Sequence, residues 1–368
     1  MSLTPAQIHA ARAAKQFLTL STRGSSDADY LEILRRLAPM RPPSYEFPGT
    51  PVCLFDRHEP SDGASQKTVG ERVRRDGLVI KGRFQHGHIA YVPSDEMPLF
   101  IGAFRKIRSF GWDEETVLET LQREGPLQKK DLGEMCGIKG KLLTAALQNL
   151  QVRFQVFEQQ LETEWDNPWC AVETEHPDWL EGIPDQFSAR LEVIKRFTYS
   201  HVFSSAQQVK DWSGFPGKEV NEILESLLER GDLIRASVEG WGEHFLCDFN
   251  PGDFNAGDFN PGTFQDLPLE SRVAILDSGD PLVTAQHSYL KSNYPKMPVL
   301  KYILIDGEIC GAVEGRWGIK PFDITDVHVP KHAQKGALKL EIIQKLRRHF
   351  PLPAQRILKF AGVKLDGL

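Results

Sequence analysis

Residues 135–150 and 212–228 carry the same pattern, and that pattern admits few folds. Met135-Cys136-Gly137-Ile138-Lys139-Gly140-Lys141 leads into a helical run to Leu150, and Trp212-Ser213-Gly214-Phe215-Pro216-Gly217-Lys218 leads into another to Leu228. An offset of 77 residues superimposes Gly137 on Gly214, Gly140 on Gly217 and Lys141 on Lys218. It also puts Leu132, Leu143, Leu147 and Leu150 on Val209, Val220, Leu224 and Leu227. The matched apolar positions keep a helical period, while the glycines fall in the break between two helical patterns. A helix-turn-helix is used twice.

The rest of the chain extends this reading to an α+β protein: three tandem winged-helix units, a β-rich C-terminal part and a terminal basic helix. Residues 1–112 form the first unit. Thr4 caps a helix with Pro5 at its first position, and a second helix spans Asp27 to Leu37. Five prolines between Pro39 and Pro51 then stop helix formation in residues 38–57, and Leu78–Ile80 with His88–Val92 read as a strand pair. Residues 113–185 form the second unit. Its helices start at Asp113 as cap, near Gln128 and near Gly140, and period-two alternation over 152–157 predicts a strand that returns near Trp169 to Val172. Residues 186–247 repeat the order, with a capping box at Ser204-Ser205 and Gln207-Gln208.

Residues 248–264 repeat Asp-Phe-Asn with a period of five, either a fragment of pentapeptide repeat or, more simply, a duplicated turn-rich loop. In residues 265–368, Tyr302–Ile305, Asp306-Gly307 and Glu308–Val313 spell a hairpin with a type I′ turn. Ala333 to His349 is a basic amphipathic helix carrying Lys335, Lys339, Lys345, Arg347 and Arg348.

A chain of 368 residues exceeds one ordinary core. Its net charge of -6 is unevenly spread: +3 over 1–150, -16 over 151–330 and +7 over 331–368, which permits a basic face on an acidic protein. The five scattered cysteines include no C-x-x-C pair and read as reduced thiols with no zinc site. No apolar run approaches the ~20 residues that span a bilayer, and the start lacks a signal peptide's apolar core. A cytoplasmic protein without a membrane partner is expected.

The usual constellations of chemistry are missing or incomplete. Gly137-x-x-Gly140-Lys141 is not a phosphate loop, because Met135 and Leu142 stand where Gly and Ser or Thr are required. His86-x-His88 lacks a third metal ligand at a diagnostic spacing. No G-x-S-x-G elbow is present. The positive charge is better placed for DNA. The third helix of a winged helix enters a groove by its N-terminal end. Lys139 and Lys141 sit at such a start, and Lys129 and Lys130 open the preceding helix. Lys218 matches Lys141, but Glu219, Glu222, Glu225 and Glu229 make its helix acidic, so the second unit is the better DNA reader.

In this order the chain resembles the bacterial winged-helix alkyl-DNA glycosylases of the AlkZ/YcaQ family. The resemblance rests on the opening helix, on Leu37 to Arg57, and on His86-Gly87-His88-Ile89-Ala90-Tyr91-Val92-Pro93-Ser94-Asp95. Asp280-Pro281-Leu282 and Asp306-Gly307-Glu308-Ile309-Cys310-Gly311 complete it. It implies three tandem winged helices on a concave basic surface, with double-stranded and alkylated DNA as partner and no small-molecule cofactor. The implied reaction is hydrolysis of the N-glycosidic bond of alkylated purines and crosslinks. It also implies DNA contacts from Arg57, His86 and His88. The family's Gln-x-Gln or Gln-x-Asp motif is replaced here by Arg41-Pro42-Pro43. Arg41 suits a phosphate contact, and Glu46 and Asp56 are the carboxylates that could rebuild a catalytic site.

Three readings follow. One is a DNA-binding protein that also cleaves; another is a non-catalytic regulator or damage-recognition factor, favoured by Arg41-Pro42-Pro43. The third is a protein-interaction scaffold, favoured by the acidic middle segment.

Overall fold

The computed structural model describes residues 3–42, 52–59, 63–159, 167–247, 272–316, 323–350 and 355–365. Glu46 and the Asp-Phe-Asn repeat lie outside them.

Helix α1 (Pro5–Lys15) starts where expected, with the Thr4 side chain accepting from the Gln7 backbone and Pro5 at its first position. Its alanines are there because two faces are packed. Ile8 and Ala11 join the core of the third unit, while Ala10 and Ala13 meet Ala274, Leu276, Leu282 and Ile309 of the C-terminal part. Buried Arg12 fastens the helix by donating to the backbone carbonyls of His201 (2.8 Å) and Phe203 (3.0 Å).

Helix α2 (Asp27–Leu37) is capped by Ser26 and buries Tyr30, Ile33, Leu34 and Leu37 at the spacing of one helical face. Met40 then bridges Tyr91. Helix α3 (Gly63–Arg75) precedes antiparallel β1 (Val79–Arg83) and β2 (Ile89–Pro93). Helix, bridging residue, helix and hairpin thus follow one another in this part of the chain. Helix α4 (Met97–Phe104), almost wholly apolar, leads out of the unit and packs into the core that units one and three share.

The second unit has its own core, built from α5 (Trp112–Glu124), α6 (Lys129–Cys136), α7 (Gly140–Gln151), β3 (Val156–Glu158) and β4 (Trp169–Ala171). Leu127 bridges Trp169, so a third strand-like segment joins the β3–β4 pair. Two local expectations change. Helix α5 begins one residue before Asp113, with Gly111 as its cap and the Glu114 carboxylate accepting from the Gly111 N–H at 2.8 Å. The strand expected over 152–157 keeps only its end. Phe154 takes a positive φ of 55°, and Arg153 turns inward to Glu114 (3.0 Å) and the Ser109 carbonyl (3.1 Å).

After the short α8 (Val172–Glu175), the third unit runs α9 (Gln186–His201), β5 (Phe203–Ser204), α10 (Ala206–Ser213), α11 (Gly217–Glu229), β6 (Leu233–Val238) and β7 (Gly242–Cys247). Its sheet has the order β5-β7-β6. Ser205 and Gln208 form the expected capping box.

The C-terminal part is an antiparallel sheet of order β11-β10-β9-β8, built from β8 (Val273–Asp277), β9 (Val299–Ile305), β10 (Glu308–Gly315) and β11 (Ile324–His328). Asp306 and Gly307 have φ of 50° and 82°, as a type I′ turn requires. Between β8 and β9 lie α12 (Pro281–Thr284) and α13 (His287–Asn293), and α14 (Gly336–His349) packs on β8, before the short pair β12 (Lys359–Phe360) and β13 (Val363–Lys364). The terminal helix is not basic on its surface alone. Lys345 is buried, with its ammonium 2.7 Å from the Asp56 carboxylate.

Candidate nucleic-acid interface

The two copies of the repeated turn share a backbone and differ in surroundings. Gly137 ends α6 in the left-handed region (φ 68°) and Gly214 ends α10 likewise (φ 75°), which is why glycine stands at both. A Cβ added to Gly137 would meet nothing within 4 Å, whereas one added to Gly214 would lie 3.0 Å from the His86 ring. The second unit's turn is open. The third unit's turn is closed by the β1–β2 hairpin tip of the first.

Around the open turn, Lys129, Lys130, Lys139 and Lys141 line a solvent-facing groove of about 760 Å³ between α6 and α7. Lys129 donates to the Thr144 hydroxyl at 2.9 Å, which holds it along the groove wall. Lys130, Lys139 and Lys141 are exposed and have no ion-pair partner among the described residues. Glu134 is the acidic residue of the groove. Beside the turn, Met135 and Leu142 expose apolar side chains at 48% and 63%. Free cations next to an uncovered apolar pair can take phosphates and lay an apolar edge on sugars or bases.

Around the closed turn most of the charges have partners within the chain. His86 Nε2 lies 2.9 Å from the Asp211 carbonyl, and the Asp211 carboxylate accepts from the Ser288 N–H (2.9 Å) and hydroxyl (3.0 Å). Glu219 pairs with Arg190, Glu225 with Arg235, and Lys218 with Glu222 at 3.8 Å on its own helix.

Two expected site residues lie in the interior, and their roles are corrected. Asp56 accepts from Lys345 (2.7 Å) and the Ile275 N–H (3.0 Å), with Arg23 at 3.8 Å. Lys345 first, then the other cations around it, hold its carboxyl well below the usual range against burial, so it is a fixed internal anion rather than an available base. Arg57 makes a two-pronged pair with Asp280 (2.6 and 3.2 Å) and donates to the Gln16 carbonyl at 3.0 Å. At 3% side-chain exposure it cannot reach a phosphate. Both residues clamp the first unit to the C-terminal part. No spacing in the sequence announces these partners.

Arg41 falls in a second basic cluster, with His88. Partial desolvation pushes the His88 imidazole down to about 4, helped by Arg41, His86, Arg83 and His287 nearby. His287 belongs to the C-terminal part, which sequence reasoning left out of the site. Among the described residues, no group of three or more His, Cys, Asp or Glu is arranged to hold a metal ion.

Neither the family models nor the curated proteins include a match to this sequence. Among solved structures, the DNA glycosylase AlkZ of Streptomyces sahachiroi superimposes with a TM-score of 0.67 at 13% identity, covering 95% of this chain and 96% of that one. Agreement over both whole chains at such low identity is agreement of backbone architecture. The chain therefore has an α+β fold similar to that of a DNA glycosylase, AlkZ, over nearly its whole length.

Proposed function

We propose that this protein binds double-stranded DNA, with the turn between α6 and α7 as its principal contact. The observation that carries the reading is the groove of four lysines, three of them unpaired among the described residues, at the start of a third helix in an α+β fold similar to a DNA glycosylase's. Lys129, Lys130, Lys139 and Lys141 neutralise phosphates, and Leu142 and Met135 lie against the duplex. The contact needs no cofactor. Among the described residues no helix is long and apolar enough to cross a membrane, and a cytoplasmic location is part of this reading.

The test is duplex binding measured against salt. Three to four phosphate contacts give log affinity a slope of roughly -3 against log salt. A flat salt response, or no binding at low salt, sinks the DNA reading and leaves an interaction scaffold in its place.

Base excision is a second reading, and the full-length likeness in fold to a glycosylase favours it. An N-alkylated purine is already a cationic leaving group, so the protein's task is to stabilise an oxocarbenium-like sugar and to place a water. With Asp56 sequestered, Glu46 is the carboxylate to which this reading assigns that task. Incubation with N7-methylguanine DNA should then produce abasic sites, and Glu46→Gln should slow their formation about 100-fold or more. Sequence-selective binding to undamaged duplex without base release would instead make the protein a regulator or damage-recognition factor.

A further inference from the structure

A cleft of about 430 Å³ lies where the first unit meets the C-terminal part, and Arg41, His287, Lys291, Lys296, Tyr294 and Tyr302 are among the residues that line it. Arg41 is delivered there by its neighbour. Met40 and Tyr91 exchange both backbone hydrogen bonds (3.1 and 2.8 Å), which fixes the chain at the edge of the β1–β2 hairpin. The side chain then passes over Gly279, where an added Cβ would fall 2.5 Å from the Arg41 Cβ. Any other residue at 279 would push Arg41 away.

The guanidinium so placed is short of partners. It has no hydrogen bond or ion pair among the described residues. The acid that acts on it is Asp277. That carboxylate is already committed to the buried Lys301 ammonium (3.1 Å) and the Gly279 N–H (3.0 Å). Loss of water around Arg41 is large enough to push it down to about 10. A guanidinium carries five N–H donors, and holding it out of water without an acceptor is unfavourable until an anion arrives.

The other charges point to the same ligand. Lys291 and Lys296 are exposed, and among the described residues they have no ion-pair partner and no carboxylate lines the cleft. Three permanent cations around one small cleft call for more than a single negative charge. Two tyrosines, edge to face at 6.0 Å between ring centroids, add hydroxyl donors and an aromatic wall.

We propose that this cleft binds the phosphate group of a nucleotide, with Arg41 as the inner fork and Lys291 and Lys296 as the outer cations. The choice of a nucleotide phosphate over another dianion rests on the DNA-binding reading above. A planar fork beside point charges suits a tetrahedral oxyanion better than lysines alone would. The phosphate belongs either to the backbone of a bound duplex or to a free nucleotide.

The experiment is a titration of the full chain with inorganic phosphate at constant ionic strength, without DNA, followed by calorimetry. The wild type should bind at millimolar phosphate, with Arg41→Gln weaker by at least about tenfold. Because Arg41 is packed against Gly279, the exposed double variant Lys291→Gln/Lys296→Gln serves as the second probe and should weaken binding comparably. No phosphate binding by the wild type overturns the proposal, as does equal binding by both variants. Competition then assigns the source. Displacement of phosphate by duplex identifies the backbone; displacement by a deoxynucleoside monophosphate but not by duplex identifies a free nucleotide. Lys139→Glu/Lys141→Glu separates the two readings, because it should weaken duplex binding about 100-fold and leave the phosphate titration unchanged.

Discussion

The turns after α6 and α10 are near copies in sequence, yet one faces open space and the other abuts the hairpin tip of the first unit. After α6 the glycine cap faces open space and three lysines stand unpaired among the described residues. After α10 the same cap abuts His86, and in the acidic helix that follows Glu219 and Glu225 pair with arginines and Glu222 with Lys218. The lesson is that the surface a repeated turn offers is defined by what the tertiary structure leaves around it. Duplication copied the turn; packing decided its use.

The largest effect that separates the two regions is pH. His9 stacks on Trp241 of the third unit at 5.0 Å and is lowered to about 4 by burial and then by Arg12, while His201 is lowered well below its ordinary value by the same two causes. Between pH 6.5 and 4 the unfolded chain binds protons that the folded chain refuses, so stability rises with pH and is lost as the pH falls through this window. His9 alone accounts for on the order of 3 kcal/mol. Residues 112–171, which hold α5–α7, β3 and β4 of the second unit, contain no histidine. Hydrogen exchange at pH 7 and pH 4.5 should therefore show α9 losing protection well before α7, and equal losses would erase the distinction.

Charge reversal tests the functional side. Lys139→Glu/Lys141→Glu should weaken duplex binding about 100-fold, near 2.7 kcal/mol, whereas Lys218→Glu should change it by less than about twofold. Comparable losses at both turns in a filter or anisotropy assay would mean that both copies read DNA.

The glycines give a smaller contrast. Gly137→Ala should destabilise by about 1 kcal/mol, the strain of a left-handed alanine, and Gly214→Ala by about 2 kcal/mol because its Cβ must also displace His86. Urea midpoints check this, and identical shifts would show that the hairpin tip yields freely. Smallest is His86→Ala, which removes the link to the Asp211 carbonyl and should cost about 1 kcal/mol. An unchanged midpoint would show the third unit's turn to be closed without that bond.

Much of the fold was legible because its signals are local. The Ser26 and Ser205 caps, the Asp306-Gly307 turn and the heptad-like burial of α11 each depend on residues within a few positions. The errors have the opposite character. Asp113 is a residue type that commonly caps, but Gly111 holds the cap because Glu114 closes on its N–H, and the alternation over 152–157 breaks where Arg153 pairs with Glu114. Of the site, the four lysines around the α6–α7 groove could be named from their positions at helix starts. The cluster of Arg41 with His287, Lys291 and Lys296 could not, since its members are distant in the chain and share no pattern.

What the sequence by itself determined is the repertoire: capped helices, glycine-ended turns, hairpins, and which segments carry positive charge. Which charges remain free was decided by the tertiary structure alone. Asp56 meets Lys345 across 289 residues and Arg57 meets Asp280 across 223, and each pairing removes an apparent site residue into the interior. The physical reason is that capping and periodicity are settled within a turn or two of backbone. The availability of a charge depends instead on desolvation and on partners that the chain brings together only by folding.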